Sequence, residues 1–203
     1  MMYIPEHFGV TDSTELSDMI TRYSFGTLVS VIGDRPFATH LPFLYDQPRS
    51  RLRAHMAQSN PHWEALAGNA HDALIIFQGP HTYMSPSWDD APGVPTWNYI
   101  SVHVYGSFHI IDNALTHRQI LNDLTSKHEE NQTTPWIADF ESVPAANMIA
   151  ATIAFEIAIK EIQGKFKLNQ NRSATDRAGG IDALANERSN NAIEIAAQMQ
   201  RLS

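Results

Sequence analysis

From Thr96 to Ile111 the chain holds a strict period of two, with Ile100, Val102 and Val104 on one side and Trp97, Tyr99, Ser101, His103 and Tyr105 on the other. Only extended backbone sends alternate residues to opposite faces, so this stretch reads as a long β-strand with one face in a core. Thr152–Ile162 repeats the pattern and places Ile153, Phe155, Ile157 and Ile159 together. Strands that bury one side only are typical of antiparallel sheets.

The remaining segments fit that frame. Gly26–Gly33 and Pro36–Tyr45 are rich in β-branched and aromatic residues and meet at Gly33-Asp34, a tight-turn pair. Arg51–Ala57 follows the Asp46-Gln47-Pro48 turn, and Ala73–Phe77 is apolar on both faces, as in a strand covered on both sides. Helical spacing marks Asp12–Tyr23, where Leu16, Met19, Ile20 and Tyr23 follow an Asp12/Glu15 capping box. Asn60-Pro61 opens a short helix, and Asp112–Glu130 carries the stripe Ile120, Leu121, Leu124. The tail from Ser173 carries Ala192, Ile195, Ala196, Met199 and Leu202 at helix spacing. Gly79–Pro95, punctuated by Pro80, Pro86, Pro92 and Pro95, reads as a loop. The expected architecture is mainly β with flanking helices (α+β). About six antiparallel strands close into a barrel, because regular βαβ crossovers are missing. A single domain over residues 1–203, with a helical tail from about 174, is the simplest organisation.

Composition narrows the function. The 203 residues carry 14 Lys+Arg against 22 Asp+Glu, a net charge of −8 that disfavours a broad basic footprint for nucleic acid. With 43% hydrophobic and 18% charged residues the chain is globular, and without cysteine it has no disulfide, thiolate metal site or cysteine nucleophile. The N-terminal MMYIPEHFGV lacks the basic and apolar regions of a signal peptide, and no apolar run is long enough to span a membrane. A soluble cytoplasmic protein is therefore expected. No GxGxxG follows a strand, and neither a Walker loop nor a GxSxG elbow is present. The ten histidines form no HxH, HxxxH or HExxH, so hydrogen-bonded histidines near a barrel rim account for them better than a metal site does.

Three segments combine the residue types that an anion or a planar ring requires. In Arg51–Trp63, Arg53 and His55 share a face opposite Leu52, Ala54 and Met56, and the strand runs into Ser59, Asn60 and a helix start. A cation, a hydroxyl, an amide and free N–H groups suit a phosphate monoester, although an ordinary Asn-Pro cap beside a salt-bridged strand explains the same residues. In His81–Trp88 and Val94–Tyr99, Trp88 and Trp97 stand with Tyr83 and Tyr99 beside prolines, as flat walls for a heterocycle, core plugs or a subunit contact. Gly164–Ser173 concentrates Lys165, Lys167 and Arg172 with Gln170 and Asn171 in an acidic chain. The cations can neutralise a phosphate and the amides can bond a ring edge, and a solvated turn is the alternative.

Taken in order, Met2–Phe8, Ala38–Phe43, His55-Met56-Ala57, Asn60–Trp63, Phe77–His81, Ser85–Trp88, Val94–Tyr99, His103–Gly106 and Gly164–Arg172 resemble the PaiB-type proteins, described as FMN-binding negative transcriptional regulators. The resemblance implies a split β-barrel of the flavin-reductase and pyridoxamine-phosphate-oxidase type, usually a homodimer with FMN at the subunit interface. It implies that Thr39, His40 and Leu41 line the flavin ring, that Arg53, His55, Ser59 and Asn60 hold the phosphate, and that Trp88, Trp97, Lys167, Gln170 and Asn171 close the site. The chain departs from the pattern where Asp89-Asp90 replace a lysine-containing loop, and where Phe166 stands for a common tryptophan.

Three functions follow in order of support. The first is a dimeric FMN-binding negative regulator acting indirectly, because no helix-turn-helix with a basic face is present. The second is an FMN-dependent oxidoreductase or flavin reductase, for which no catalytic residue is singled out. The third is a haem-binding split barrel with His40, His81 or His103 as axial ligand. The face of Trp97, Tyr99 and Tyr105 is the expected dimer contact.

Overall fold

The computed structural model describes residues 1–68, 72–90, 92–139 and 142–202. Helix α1 (Ser13–Arg22) starts where Asp12 Oδ1 accepts hydrogen bonds from the backbone N–H groups of Thr14 at 2.8 Å and Glu15 at 3.0 Å. β2 (Phe25–Ile32) and β3 (Arg35–Pro42) form a hairpin in the register Thr27↔His40, Leu28↔Thr39, Val29↔Ala38. At the turn Gly33 sits at φ 59°, a left-handed conformation open to glycine without a Cβ penalty.

The expected strand over Pro36–Tyr45 is two strands. At Phe43 the backbone N–H turns to the Ser24 carbonyl at 2.8 Å, and the ring, 1% exposed, meets Phe77 and Phe155 edge-on at 5.6 and 6.3 Å. Burying that ring moves the chain from one partner strand to another. β3 pairs with β2, whereas β4 (Leu44–Asp46) pairs with β5 (Arg51–Ala57). β1 (Gly9–Val10) is a further short strand, paired with β8 (Thr152–Lys167).

With β6 (Ala73–Met84) and β7 (Thr96–Ile110) the sheet has eight strands, not six. Its order β3-β2-β6-β7-β8-β5-β4 is an open path rather than a closed ring. Both ends carry features that stop pairing: Pro36 in β3 has no N–H to donate, and three-residue β4 runs directly into Gln47-Pro48. β6 also continues to Met84, through Gly79 and Pro80, where a loop was expected. β8 likewise takes in Gly164–Lys167.

The chain divides into two compact units, one of Met1–Leu16, Gln78–Val102 and Gln163–Ser203 and the other of Ser17–Phe77 and His103–Ile162. In the second unit the core is built from alternate residues: Leu52, Ala54 and Met56 of β5, Ile75 and Phe77 of β6, and Phe155 and Ile157 of β8 are all buried. This unit also holds α2 (His62–Ala67), α3 (Ala114–Glu129), α4 (Val143–Ala150) and the end of α1 from Ser17. Ile120 and Leu124 of α3 pack with Leu44 and Ala154. Asn113 caps α3, its Oδ1 accepting from Thr116 N at 2.9 Å. Replacing Asn113 by Ala is expected to cost about 1 kcal/mol in urea unfolding, the usual value of an N-cap.

In the first unit α5 (Ala174–Ala185) and α6 (Asn190–Arg201) follow β8. The apolar stripe of α6 is buried from Ala192 to Met199, while Leu202, beyond the helix, is 41% exposed. Among the described residues no helix is long and apolar enough to cross a membrane.

Candidate functional site

The alternation of β5 places Arg51, Arg53 and His55 on the face opposite its buried residues. Arg53 Nη1 pairs with Asp123 Oδ2 of α3 at 3.1 Å, leaving the arginine side chain 19% exposed. Its Nε is buried without a hydrogen-bond partner, as is Nδ1 of His55 two residues on. Burial, followed by the nearby His117, holds the His55 imidazole below its usual pKa and therefore neutral at pH 7. Nearly all buried polar atoms in folded proteins are satisfied. These two orphaned nitrogens lie on one face of one strand. Ser59, in the turn after β5, is exposed.

Thr39 and Asn60 are joined directly. Asn60 Nδ2 donates to Thr39 Oγ1 at 3.2 Å, and Asn60 Oδ1 accepts from the backbone N–H of His62 at 3.0 Å, although the N-cap position of α2 falls to Pro61 rather than to the expected Asn60. Both turn inward to His62, whose ring is fully buried. Nδ1 lies 2.8 Å from Thr39 Oγ1, Nε2 lies 2.8 Å from Ser30 Oγ, and Phe37 stands edge-on at 4.9 Å. A neutral imidazole has one donor and one acceptor, so the two hydroxyls satisfy either tautomer. Desolvation pushes its pKa down to about 4.

The expected site residues of β3 do not share a surface. Leu41 is buried at 8% exposure, whereas His40 faces out, stacked on exposed Phe25 at 6.4 Å. Alternation sends His40 one way and Thr39 and Leu41 the other.

In the first unit Lys167 Nζ donates to Thr96 Oγ1 at 2.7 Å and to the Trp97 carbonyl at 2.6 Å. Burial, then the charges of Lys165 and Arg172, lower its pKa. Trp97 is 53% exposed, with His81 and Tyr83 at ring distances of 6.1 and 6.4 Å. Gln170 braces its own turn, its Oε1 accepting from Leu168 N at 2.7 Å and its Nε2 donating to Phe166 O at 2.5 Å. That amide is therefore committed to the backbone, while Asn171 is exposed. Trp88 is half-buried in a short 3₁₀ turn over Pro86–Trp88, which Ser85 Oγ caps by accepting from Ser87 N at 3.2 Å. Asp90, in the departing loop, is anchored by its backbone N–H to Asp176 Oδ1 at 2.9 Å.

His62, Ser30 and Asp123 were not singled out by the sequence. A signal for His62 lies in its place at the start of a helix after Asn60-Pro61, but nothing local marks Ser30 or Asp123 as partners 32 residues and 70 residues away from His62 and Arg53 (62 − 30 and 123 − 53). Tyr99 and Tyr105 of the expected dimer face are half-buried.

Residues 2–161 match the family model described as "Putative FMN-binding domain". The chain is 35% identical over 205 aligned residues to the protease synthase and sporulation protein PAI 2 of Bacillus subtilis (strain 168), across 98% of this chain and 97% of that one. Its fold is similar to that of the FAD and heme binding protein from Mycobacterium smegmatis, with a TM-score of 0.65 at 21% identity over 85% of this chain and 80% of that one. It is also similar to a flavocytochrome from Azotobacter vinelandii, with a TM-score of 0.62 at 14% identity over 87% of this chain and 78% of that one.

Proposed function

This chain belongs to the PaiB-type FMN-binding domain family, and we propose that it is a flavoprotein that holds FMN by its phosphate on the Arg53–His55 face of β5 and acts as a negative transcriptional regulator through its ligand rather than through operator contact. The observation that carries the reading is the pair of orphaned, buried nitrogens, Arg53 Nε and His55 Nδ1, on one face of one strand. A phosphate dianion accepts from both. Arg53 keeps donors to spare, because Asp123 engages a different guanidinium nitrogen. Bound FMN supplies a redox-active ring, and the protein orients and shields it. Ser59 and Asn60 lie in the turn that follows the same strand, which Asn60 holds.

The regulatory half rests on the family description and on charge. At −8 the chain repels a polyanion, so repression runs through a partner or metabolite. We further propose a cytoplasmic homodimer, as the family resemblance implies.

The test is one absorbance spectrum and one native mass spectrum of the protein as purified. A flavin band in the blue, a thermal shift with added FMN and a mass of twice 22.7 kDa are expected. The absence of both the band and the shift would end the flavin reading, and a 22.7 kDa species at micromolar concentration would end the dimer. A salt-sensitive gel shift on the native promoter at nanomolar protein would refute indirect regulation.

A further inference from the structure

We propose that Lys165, Lys167 and Arg172 form an anion site of their own unit, which takes the phosphate of a nucleotide other than FMN while the base stacks on Trp97. Lys165 is 7% exposed and yet pairs with no carboxylate. Its Nζ donates to the Tyr3 carbonyl at 2.9 Å and lies 5.3 Å from the ring centres of both Tyr3 and Tyr99. Lys167, two residues on along β8, shares that face and is held by a hydroxyl and a carbonyl, with the Phe8 ring centre 5.8 Å away. Among the described residues, no carboxylate lies within ion-pair distance of either lysine or of Arg172.

Buried cations are normally paired, and aromatic faces and carbonyls return only part of the lost hydration. Three neighbouring cations that repel one another are therefore an arrangement that an anion completes, the more so in a chain of net charge −8. The depressed pKa of Lys167, caused in part by Lys165 and Arg172, reports the same crowding. Through its own carbonyl Trp97 is tied to Lys167, and its half-exposed indole, flanked by His81 and Tyr83, offers a flat face next to the charge. A phosphate carried on a planar heterocycle meets both features at once. The proposal does not depend on where FMN sits.

Calorimetric titration of the protein, saturated with FMN, tests it with adenosine 5′-monophosphate, adenosine and ribose 5-phosphate. The monophosphate is expected to bind once per chain, with adenosine and ribose 5-phosphate each at least tenfold weaker. Lys167→Gln retains an amide that can donate to Thr96 and Trp97, and Arg172→Gln changes only a half-buried turn residue. Each is expected to weaken the monophosphate at least tenfold, and Trp97→Ala to reduce it to the level of ribose 5-phosphate. Arg53→Gln, which removes the proposed flavin grip, leaves the monophosphate affinity unchanged, so the two readings fail separately. The absence of binding to the FMN-saturated protein would overturn the proposal, as would displacement of the monophosphate by FMN, since that would give these cations to the flavin phosphate. Unchanged affinity in both Lys167→Gln and Arg172→Gln would do so too.

Discussion

Arg53→Gln is expected to weaken FMN binding about a hundredfold while leaving the chain folded. A hydrogen bond to a charged group contributes roughly 1.5–3 kcal/mol, which is about ten- to 150-fold in affinity, and glutamine removes the charge along with the Nε donor. The fold tolerates the change because Asp123, the partner left behind, is 33% exposed in its side chain and returns to water. Asp123→Asn is the complementary variant. It frees the guanidinium from its carboxylate, so FMN affinity holds or rises. Quenching of flavin fluorescence on titration measures both. Wild-type affinity in Arg53→Gln would remove the phosphate from β5, whatever Asp123→Asn does.

What the sequence disclosed was local. The capping Asp12, the Gly33-Asp34 turn and the two-residue period of β5 each act within a few residues of their own position, and each is present in the structure. What it hid depends on distant partners. Gly79 and Pro80 punctuate like loop residues, yet both are buried within β6. Phe43 has the residue type of a strand interior, but its core contacts with Phe77 and Phe155 break the strand there.

The site follows the same division. The shared face of Arg53 and His55 was legible from alternation, whereas the Asp123 that takes one guanidinium nitrogen comes from a helix far along the chain. The family resemblance implies Thr39 at the flavin ring and Asn60 at the phosphate. The structure commits the Thr39 hydroxyl and the Asn60 carbonyl oxygen inward, to His62. Gln170 is similar, its amide closing its own turn. A polar side chain in sequence advertises hydrogen bonds without saying with what, and the backbone nearby is usually the first taker.

His62 gives the structure a measurable acid weakness. Buried, with each ring nitrogen already facing a hydroxyl, it stays neutral down to a pKa of about 4, against 6.5 for the exposed side chain. Above 6.5 both folded and unfolded chains carry it neutral, and it adds no pH dependence. As the pH falls from 6.5 towards 4, the unfolded chain takes up a proton that the folded one refuses, so stability drops. Burial lowers His55, His103 and His117 in the same direction, which steepens the wild-type profile. His62→Gln isolates the contribution, because glutamine can still bond Thr39 and Ser30 but does not titrate. Urea unfolding is expected to show wild type more stable at neutral pH, with its advantage shrinking by about 2.5 kcal/mol on going to roughly pH 4.5. That is a large share of the 5–15 kcal/mol typical of a domain. Parallel stability curves for the two proteins would mean that His62 binds its proton equally well folded and unfolded, and that the hydroxyls of Ser30 and Thr39 surround it without excluding charge.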